Sequence, residues 1–490
     1  MAKYPVDKAK GKQTNKVSQK VKSHRDFLLR VCLFSVMIVS VVAWTDYQGY
    51  FNPDYTNDHT RRKWNAYYEL TRKAPVDVVM IGNSHLYTGL NPEHLSNALG
   101  ATCFILASPG TTMTDAYFTL KEAVKVKKPR MVILETFTMY DYKSHELKAG
   151  ALSDQFKSFA ARKDVGQKLA SMPVLFQSDN YLPAWSNTIR NHSFIFTDTT
   201  QLKQNILLGR QKPPREQGLY LGRYIRFTSG LEENTLKKYD EPGFVAYNYA
   251  EKLPGDEAIK YLKKAIALCK KEKIELVLLT LPMYHRHVQG YETYKNEILK
   301  TIGDKQSWLD LQLPYDTTAF TPESFENTVA PNQHMTYQGS LIAAYKLAHY
   351  LQKKHAKAIP NRSGERKWIE LFYGSDGYFI NNSPLQDGVS KVLMTNVSVA
   401  GTYELKELIL VPERGAKQLL LKLVRPADQR AVPNAFEVLA DIQVEGQTMT
   451  MPVKLVRSLL HQPVGHLLYV SEYLHPETSI GEIKMIQARS

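Results

Sequence analysis

The sequence predicts an α/β domain with a parallel sheet in three layers, followed by an antiparallel β domain and preceded by one membrane-spanning helix. Three observations predict this. Short apolar runs alternate with helical patterns between 76 and 358, short alternating β segments follow from 364, and an 18-residue apolar stretch stands at 27–44. Strands that alternate with helices form parallel sheets covered on both faces, whereas closely spaced short strands form sandwiches or barrels. A length of 490 residues is too great for one ordinary core.

The N-terminal segment carries a strong charge asymmetry. Residues 1–25 hold seven lysines and one arginine against one aspartate, which supplies +7 of the formal net charge of +15. The apolar stretch that follows is long enough to cross a bilayer, so the positive-inside rule predicts a cytoplasmic basic tail at 1–25, an anchor at 26–45 and an extracytoplasmic remainder. A cleaved signal peptide is the alternative, but no small-residue cleavage site follows the stretch.

The excess of basic residues limits the classes of partner. A basic surface attracts nucleic acid, anionic lipid or phosphate-bearing polymers, although it also serves solubility alone. Nucleic-acid binding is disfavoured, because the basic run precedes a membrane span and no recognised nucleic-acid motif follows. The sequence predicts no nucleic-acid partner.

The rest of the chain divides into four regions. Residues 46–75 are predicted as a stalk with one short helix, and 76–358 as the α/β domain. The alternation of strands and helices stops between about 143 and 255, and this region is predicted to be an inserted, mostly helical cap. A linker at 359–364 leads to an antiparallel β-sandwich or jelly roll at 364–490. The buried strands of the α/β domain are predicted at 76–81, 101–107, 130–134, 274–281 and 308–311.

A candidate nucleophile follows the first predicted strand. The motif Gly82-Asn83-Ser84-His85 turns the chain sharply and leaves the Ser84 hydroxyl at the carboxyl edge of the sheet, where open α/β sheets place their sites. A serine needs a base within hydrogen-bond reach before it can attack. The motif alone is weak evidence, because turns use these residues for conformational reasons.

Two further motifs strengthen this hypothesis. Ser108-Pro109-Gly110 follows the second strand, and the Gly110 N–H is a candidate oxyanion donor beside that of Ser84. His334 stands just before the last helix, from where it is placed to reach the strand edge as a general base. A plain turn and a structural histidine are the respective alternatives.

Together these motifs resemble the first, second and last blocks of the SGNH (GDSL-like) hydrolases, over about 76–351. The phrase 79–85, with Leu90-Asn91-Pro92 behind it, looks most like a membrane-anchored bacterial branch that acts on cell-envelope polymers. That branch includes the D-alanine transfer protein of teichoic-acid operons and the alginate O-acetylation proteins. The resemblance implies an SGNH-type, flavodoxin-like sheet, a Ser84–His334 site, a glycopolymer substrate and a multi-pass membrane acyltransferase as partner.

The sequence departs from the family pattern at two positions. The last block is usually Asp-x-x-His, but position 331 is proline, so the residue that orients His334 must come from elsewhere, or a Ser–His dyad suffices. The asparagine expected after the third strand is absent, and Thr136 is the substitute oxyanion donor. The candidates for orienting the histidine are Asn332, Asp310, Asp316, Glu323 and Glu326.

Other features complete the functional hypotheses. Arg223 and Tyr224 in the insertion are candidates for binding a sugar or phosphate, or else they form the core of the cap. No phosphate loop or metal-ligand pattern is present, and we expect no metal or cofactor. The leading hypothesis is an extracytoplasmic esterase or acyltransferase. The alternative is an inactive SGNH-fold carbohydrate-binding or scaffold protein of an envelope-modifying complex.

Overall fold

The fold is described from a computed structural model, in which the described residues belong to two compact units. The first unit comprises Met1–Asn57 and Ser178–Pro214, and the second Asp58–Gln177 and Arg215–Ser490. The structure describes residues 10–52, 59–139, 149–208, 221–223, 230–303, 306–362, 364–365, 367–368, 371, 391–399, 403–413, 416–424, 433, 435–444, 447–457, 466–474 and 478–489.

The first unit is built on one long helix, α1 (Lys10–Gln48). Its stretch His24–Gln48 is the one described helix long and apolar enough to cross a membrane, and its most apolar window is not buried. Two serines within this stretch bond back to the helix: the hydroxyls of Ser35 and Ser40 donate to carbonyls four residues earlier, at 2.8 and 2.7 Å. Four short helices complete this unit: α8 (Tyr181–Trp185), α9 (Asn187–Asn191), α10 (Phe194–Thr197) and α11 (Thr199–Leu208).

The second unit contains a five-stranded parallel sheet, which confirms the predicted α/β class. The strand order is β2-β1-β3-β4-β5. Every residue of the first three strands is buried, as expected of apolar runs covered on both faces. The strands are β1 (Val78–Gly82), β2 (Cys103–Ala107), β3 (Met131–Glu135), β4 (Glu275–Thr280) and β5 (Ser307–Asp310).

Helices cover this sheet on both faces. Alternate residues of one strand enter two separate cores, since Val79 and Ile81 belong to one and Val78 and Met80 to the other. Helices α2, α5, α13 and α14 line the first core, and α3, α4 and α15 line the second. The helices of this unit are α2 (His59–Lys73), α3 (Ser84–Gly89), α4 (Pro92–Leu99), α5 (Met113–Val126), α6 (Ala149–Ala161), α7 (Val165–Leu175), α12 (Glu233–Tyr239), α13 (Asp256–Glu272), α14 (Tyr291–Ile302) and α15 (Tyr337–His355).

Helix α2 corrects the predicted stalk at 46–75. Trp64 and Tyr67 are buried in the first core of the α/β unit. Lys63 is buried too. Its ammonium donates to the Ala107 carbonyl at 2.8 Å and lies 3.5 Å from the centre of the Tyr87 ring, and these contacts compensate for its burial. Because α2 is mostly polar in composition, the sequence does not predict its buried face, which includes aromatic residues.

The C-terminal residues form a separate antiparallel sheet, as predicted. All seven strands are hydrogen-bonded in one sheet, in the order β12-β9-β10-β11-β8-β7-β6, rather than in the two sheets of the predicted sandwich. Alternate residues of its strands gather in one core of their own. Alternation shows only that one face of each strand is buried, so it does not distinguish two packed sheets from one sheet around a core. The strands are β6 (Lys391–Val399), β7 (Tyr403–Glu413), β8 (Ala416–Val424), β9 (Ala435–Val444), β10 (Gln447–Arg457), β11 (His466–Leu474) and β12 (Ser479–Arg489).

The predicted insertion at 143–255 is divided between the two units. Its described residues are mostly helical. Helices α6 and α7 belong to the α/β unit, where the guanidinium of Arg162 forms a buried ion pair with Asp115 at 2.9 Å. Helices α8 to α11 belong to the first unit. The insertion is therefore not a single cap.

Candidate active site

Ser84 lies at the sharp turn between β1 and α3. It is the first residue of α3 and is half-buried at the carboxyl end of the sheet. Asn83 caps the helix, because its side-chain oxygen accepts a hydrogen bond from the backbone N–H of His85 at 3.0 Å. The turn thus holds Ser84 where the sequence predicts it, at the edge where sites of open α/β sheets lie.

A buried carboxyl group forms a hydrogen bond with this turn. Glu135, the last residue of β3, accepts a hydrogen bond from the Asn83 N–H at 3.1 Å. A Cβ atom at Gly82 would lie 2.5 Å from Glu135 Oε2, so glycine is what allows the carboxyl to fit there. Burial raises the pKa of Glu135 to about 8, while the N–H groups of Asn83 and Leu86 act in the opposite direction.

A short hairpin, the 324–336 hairpin, positions His334. The Glu326 N–H donates to the His334 carbonyl at 2.9 Å, and the Thr336 N–H donates to the Ser324 carbonyl at 3.0 Å. This antiparallel pairing places the Glu326 carboxylate beside the imidazole, with His334 Nδ1 3.1 Å from Glu326 Oε2. Both side chains are largely buried, which strengthens their interaction. Since Nδ1 faces the carboxylate, Nε2 is the nitrogen positioned to exchange a proton.

His85 joins the turn to this hairpin. Its ring centre lies 5.3 Å from that of His334 and 4.0 Å from that of Phe137. Its Nε2 lies 2.9 Å from the side-chain oxygen of Asn332. Because His85 directly follows Ser84, these contacts bring the predicted nucleophile and the predicted base to the same end of the sheet.

Burial favours the neutral form of His85. Burial lowers the pKa of His85 well below its ordinary value, and the proximity of His334 lowers it further. The hydrogen bond with Asn332 acts in the opposite direction, and His287 adds a small lowering effect. A neutral His85 donates from Nε2 to Asn332 and so holds the loop that carries His334.

Of the candidates for orienting His334, Glu326 forms a direct contact with it, at 3.1 Å. Asn332 contacts His85 instead. Asp310 forms an ion pair with Lys295 at 2.8 Å and accepts from backbone N–H groups two and three residues later, so it stabilises the turn after β5. For Asn332 and Asp310, the role of orienting His334 stays a prediction.

The other two acidic candidates are also engaged elsewhere. Asp316 forms an ion pair with Lys346 at 2.6 Å. The Glu323 carboxylate accepts a hydrogen bond from the Thr321 hydroxyl at 2.5 Å. The acidic side chain beside His334 Nδ1 is thus that of Glu326, eight residues earlier in the chain.

The predicted oxyanion glycine lies in the turn after β2. The Ser108 N–H donates to the Gly82 carbonyl at 3.4 Å, which places this turn next to the nucleophile turn. Gly110 is exposed and has a φ of +61°, a conformation that favours glycine. Its role as an oxyanion donor stays a prediction.

Thr136, the other predicted oxyanion donor, is engaged in the core. Its hydroxyl lies 2.6 Å from that of Thr280, and its carbonyl accepts from the Tyr294 hydroxyl at 2.7 Å. Thr280 also accepts from Tyr291 and Trp308, each at 3.0 Å. Because Thr280 accepts two hydrogen bonds, its own hydroxyl donates to Thr136, and this network does not use the Thr136 O–H. The role of Thr136 as an oxyanion donor stays a prediction.

Arg223 is buried rather than presented to a ligand. Its guanidinium forms an ion pair with Glu93 at 2.8 Å, and both side chains are about one-tenth exposed or less. Burial, and then the charge of Arg223, lower the pKa of the adjacent His94 to about 3. This arrangement favours the core interpretation of Arg223 over the predicted binding role. Tyr224 lies outside the described residues.

The described part of the chain offers no group of three or more His, Cys, Asp or Glu side chains arranged to hold a metal. The two histidines after β4, His285 and His287, do not act together. His287 is fully buried and its Nδ1 lies 2.7 Å from the Tyr239 hydroxyl, so its role is in packing and hydrogen bonding.

Sequence reasoning missed three residues that support the site. His85 and Glu135 brace the nucleophile turn, as described above. Gln333 Oε1 accepts from the Tyr284 N–H at 2.8 Å, which ties the loop after β4 to the residue beside His334. His85 stands in the nucleophile motif itself, so its position was the available signal, whereas no local pattern marks the other two.

Comparisons with known proteins give only remote likenesses, all to solved structures. No family model and no curated protein matches the sequence. Among solved structures, an acetyl xylan esterase (Est2A) from the rumen bacterium Butyrivibrio proteoclasticus has 12% identity and a TM-score of 0.24. That alignment covers 57% of this chain and 65% of the esterase, so the chain spans about two-thirds of its length. A two-domain esterase (CEX) active on acetylated mannans has 9% identity and a TM-score of 0.26, over 86% of this chain and 92% of that one.

Proposed function

We propose that this chain is an SGNH-type serine esterase or O-acyltransferase. The observation that carries the proposal is the Glu326–His334 pair, held by the 324–336 hairpin at the end of the sheet where Ser84 begins α3. A carboxylate on Nδ1 fixes the tautomer and stabilises the imidazolium, which a serine nucleophile requires of its base. The strand order 2-1-3-4-5 supports the fold, since it is the flavodoxin-like order with a switch point beside β1.

The proposed reaction proceeds through an acyl-serine. Ser84 Oγ attacks the acyl carbonyl carbon while His334 Nε2 accepts the hydroxyl proton. The N–H groups of Ser84 and Gly110 stabilise the oxyanion. As the intermediate collapses, His334 returns the proton to the departing alcohol oxygen. Water or an acceptor hydroxyl then attacks the acyl-serine, again with His334 as base, and restores Ser84.

The substrate and the location are proposed from the family resemblance. The acyl acceptor or ester is a cell-envelope glycopolymer, such as teichoic acid or an exopolysaccharide. A multi-pass membrane acyltransferase supplies the acyl group, so transfer is favoured over hydrolysis. The apolar helix His24–Gln48 supports a single-pass anchor, with the basic tail in the cytoplasm and the catalytic domain outside it.

One observation favours a second candidate function. The position after β3 holds Thr136, where the family pattern has asparagine. Losing one oxyanion donor typically costs about 10²- to 10³-fold in rate. An SGNH-fold protein that binds an envelope polymer without chemistry is therefore the alternative.

Labelling of the full-length protein in detergent by a serine-directed fluorophosphonate separates the two functions. We expect labelling of the wild type that is lost in Ser84→Ala and kept in Ser178→Ala, a matched change at an exposed serine. Glu326→Gln should slow labelling by about 10²- to 10⁴-fold, because the amide cannot stabilise the imidazolium. Glu323→Gln is its control, since that carboxylate bonds Thr321 rather than His334.

Two outcomes of these experiments would contradict the proposed function. Labelling of Ser84→Ala at the wild-type rate would show that Ser84 is not the nucleophile. No labelling of the wild type, together with normal polymer modification by Ser84→Ala in cells, would establish the binding or scaffold function.

A further inference from the structure

The four short helices of the first unit expose an unusual amount of apolar surface. Fifteen large hydrophobic residues outside α1 are exposed among those that the structure describes, and six of them lie between 182 and 207. Phe196 and Leu207 are each 84% exposed. Soluble proteins scatter such residues singly, whereas a concentration of them marks a surface that contacts something else. The six residues are Leu182, Trp185, Ile195, Phe196, Ile206 and Leu207.

Polar contacts attach this segment to the end of α1. Asp46, in the last turn of α1, accepts hydrogen bonds from the backbone N–H and the hydroxyl of Thr188, both at 2.7 Å. The hydroxyl of Thr188 also lies 2.9 Å from that of Thr45. These bonds fix α9 at the level where the apolar helix ends.

A second set of contacts fixes the chain that leaves α1. The Asn205 amide donates to the carbonyls of Tyr50 and Asn52, at 2.9 and 2.8 Å. The Asn191 amide donates to the Phe51 carbonyl at 2.8 Å. Helices α9 and α11 are therefore both fastened to the residues that follow the apolar stretch.

The segment buries polar Asn205 and exposes large apolar side chains, next to exposed polar residues that include Asp198 and Lys203. Asn205 is 1% exposed, while Phe196 and Leu207 point outward. This reverses the usual arrangement of a helix packed on a water-soluble core. It suits helices that lie in a membrane interface, where apolar side chains enter the acyl boundary and polar groups find partners within the protein.

We infer that residues 181–208 form an interfacial collar that inserts its exposed apolar side chains into the bilayer that α1 crosses. The lipid surface is the occupant because the collar is hydrogen-bonded to the last turn of the span and so lies at the depth of the boundary. Trp185 in the collar and Trp44 at the end of α1 are residue types that favour this depth. The inference rests on the proposed anchoring and is independent of the chemistry proposed for Ser84.

Spin labels on the full-length protein in lipid nanodiscs test the collar. In a Cys32→Ser background the remaining thiols, Cys103 and Cys269, are buried. Labels at Phe196→Cys and Leu207→Cys should collide several-fold more with oxygen, relative to a water-soluble nickel complex, than a label at Met449→Cys. Met449 is the matched control, an apolar residue exposed on the C-terminal sheet. Each variant must unfold at the temperature of its parent.

A label at Val39→Cys in α1 separates the collar from the anchor. A lipid-like signal at 39 with water-like signals at 196 and 207 would overturn the collar and leave the anchor intact. A water-like signal at 39 would overturn the anchor and the collar with it. Water-like signals at 196 and 207 in nanodiscs that become protected in native membranes would show a protein partner instead of lipid, which also overturns the inference.

Discussion

Glu135 shows how one residue shapes the nucleophile turn. Its carboxyl enters the space that a side chain at position 82 would occupy, and it accepts the Asn83 N–H. Both the side chain and its surroundings are buried, so the neutral, protonated form is favoured. A neutral acid here supports the turn without placing a negative charge beside Ser84.

This protonation makes stability depend on pH. Below its ordinary pKa of 4.5, Glu135 is protonated in both the folded and unfolded chains, and its contribution is fully present. Between 4.5 and about 8 the folded chain keeps a proton that the unfolded chain has released, so stability falls as pH rises. We expect wild type to lose up to about 1.4 kcal/mol per pH unit relative to Glu135→Gln in this window. Urea unfolding at several pH values measures it.

Glu482→Gln, a change at an exposed glutamate, is the control and should follow wild type at every pH. Parallel curves for wild type and Glu135→Gln between pH 4.5 and 8 would show that Glu135 is ionised in the folded protein.

The residues of the site were predicted unevenly. Ser84 and His334 stand in motifs whose position next to a strand or helix is visible in the sequence. Glu326 was one of several acidic candidates, because nothing local distinguishes it from Asp310 or Asp316. What selects it is the register of the 324–336 hairpin, which is a tertiary property.

At the scale of elements, the junction between the 324–336 hairpin and α15 determines the position of His334, the proposed base. Thr336 caps α15 and its hydroxyl donates to the Glu323 carbonyl at 2.7 Å. Gly339 lies in the first turn of this helix, against Ser324. The first turn of α15 is therefore in direct contact with the hairpin strand that carries Glu326.

Gly339→Ala tests this close approach. A Cβ atom at 339 would lie 2.2 Å from the Ser324 carbonyl oxygen, a backbone atom that can move only with the hairpin. We expect a loss of about 1–3 kcal/mol in the free energy of unfolding from overpacking. Fluorophosphonate labelling should fall too, because Glu326 shifts with the strand. Gly364→Ala is the control, since nothing lies within 4 Å of its added carbon. Unchanged stability and labelling in Gly339→Ala would show that the hairpin tolerates displacement.

The strands of the parallel sheet were predicted to within about two residues at each end. Their apolar runs are buried on both faces, so composition alone reveals them. Helix α2 was missed as part of the core because its apolar residues are aromatic and interspersed with charges. The single C-terminal sheet was missed because pairing between distant strands leaves no local trace.

At the scale of the whole molecule, the sequence predicts a linker at 359–364. In the structure, hydrogen bonds attach this segment to the α/β unit. The guanidinium of Arg362 forms two hydrogen bonds with Asp77, at 2.8 and 2.9 Å, just before β1. Trp368 packs in the first core of the sheet. Composition indicates where a linker starts, but it cannot show that a basic residue within it pairs with a buried carboxylate.

Arg362→Met tests whether this ion pair attaches the linker. The Asp77 side chain is 2% exposed, so removing its partner leaves a buried charge, and we expect a loss of about 3 kcal/mol in the free energy of unfolding. Limited proteolysis should then cut the variant between 359 and 371 faster than wild type, because the segment loses the contact that holds it. Lys367→Met, a change at an exposed cation nearby, should match wild type in both measurements. Equal cleavage of wild type and Arg362→Met would instead show that other contacts, such as the packing of Trp368, secure the segment, and that the Arg362–Asp77 pair contributes little.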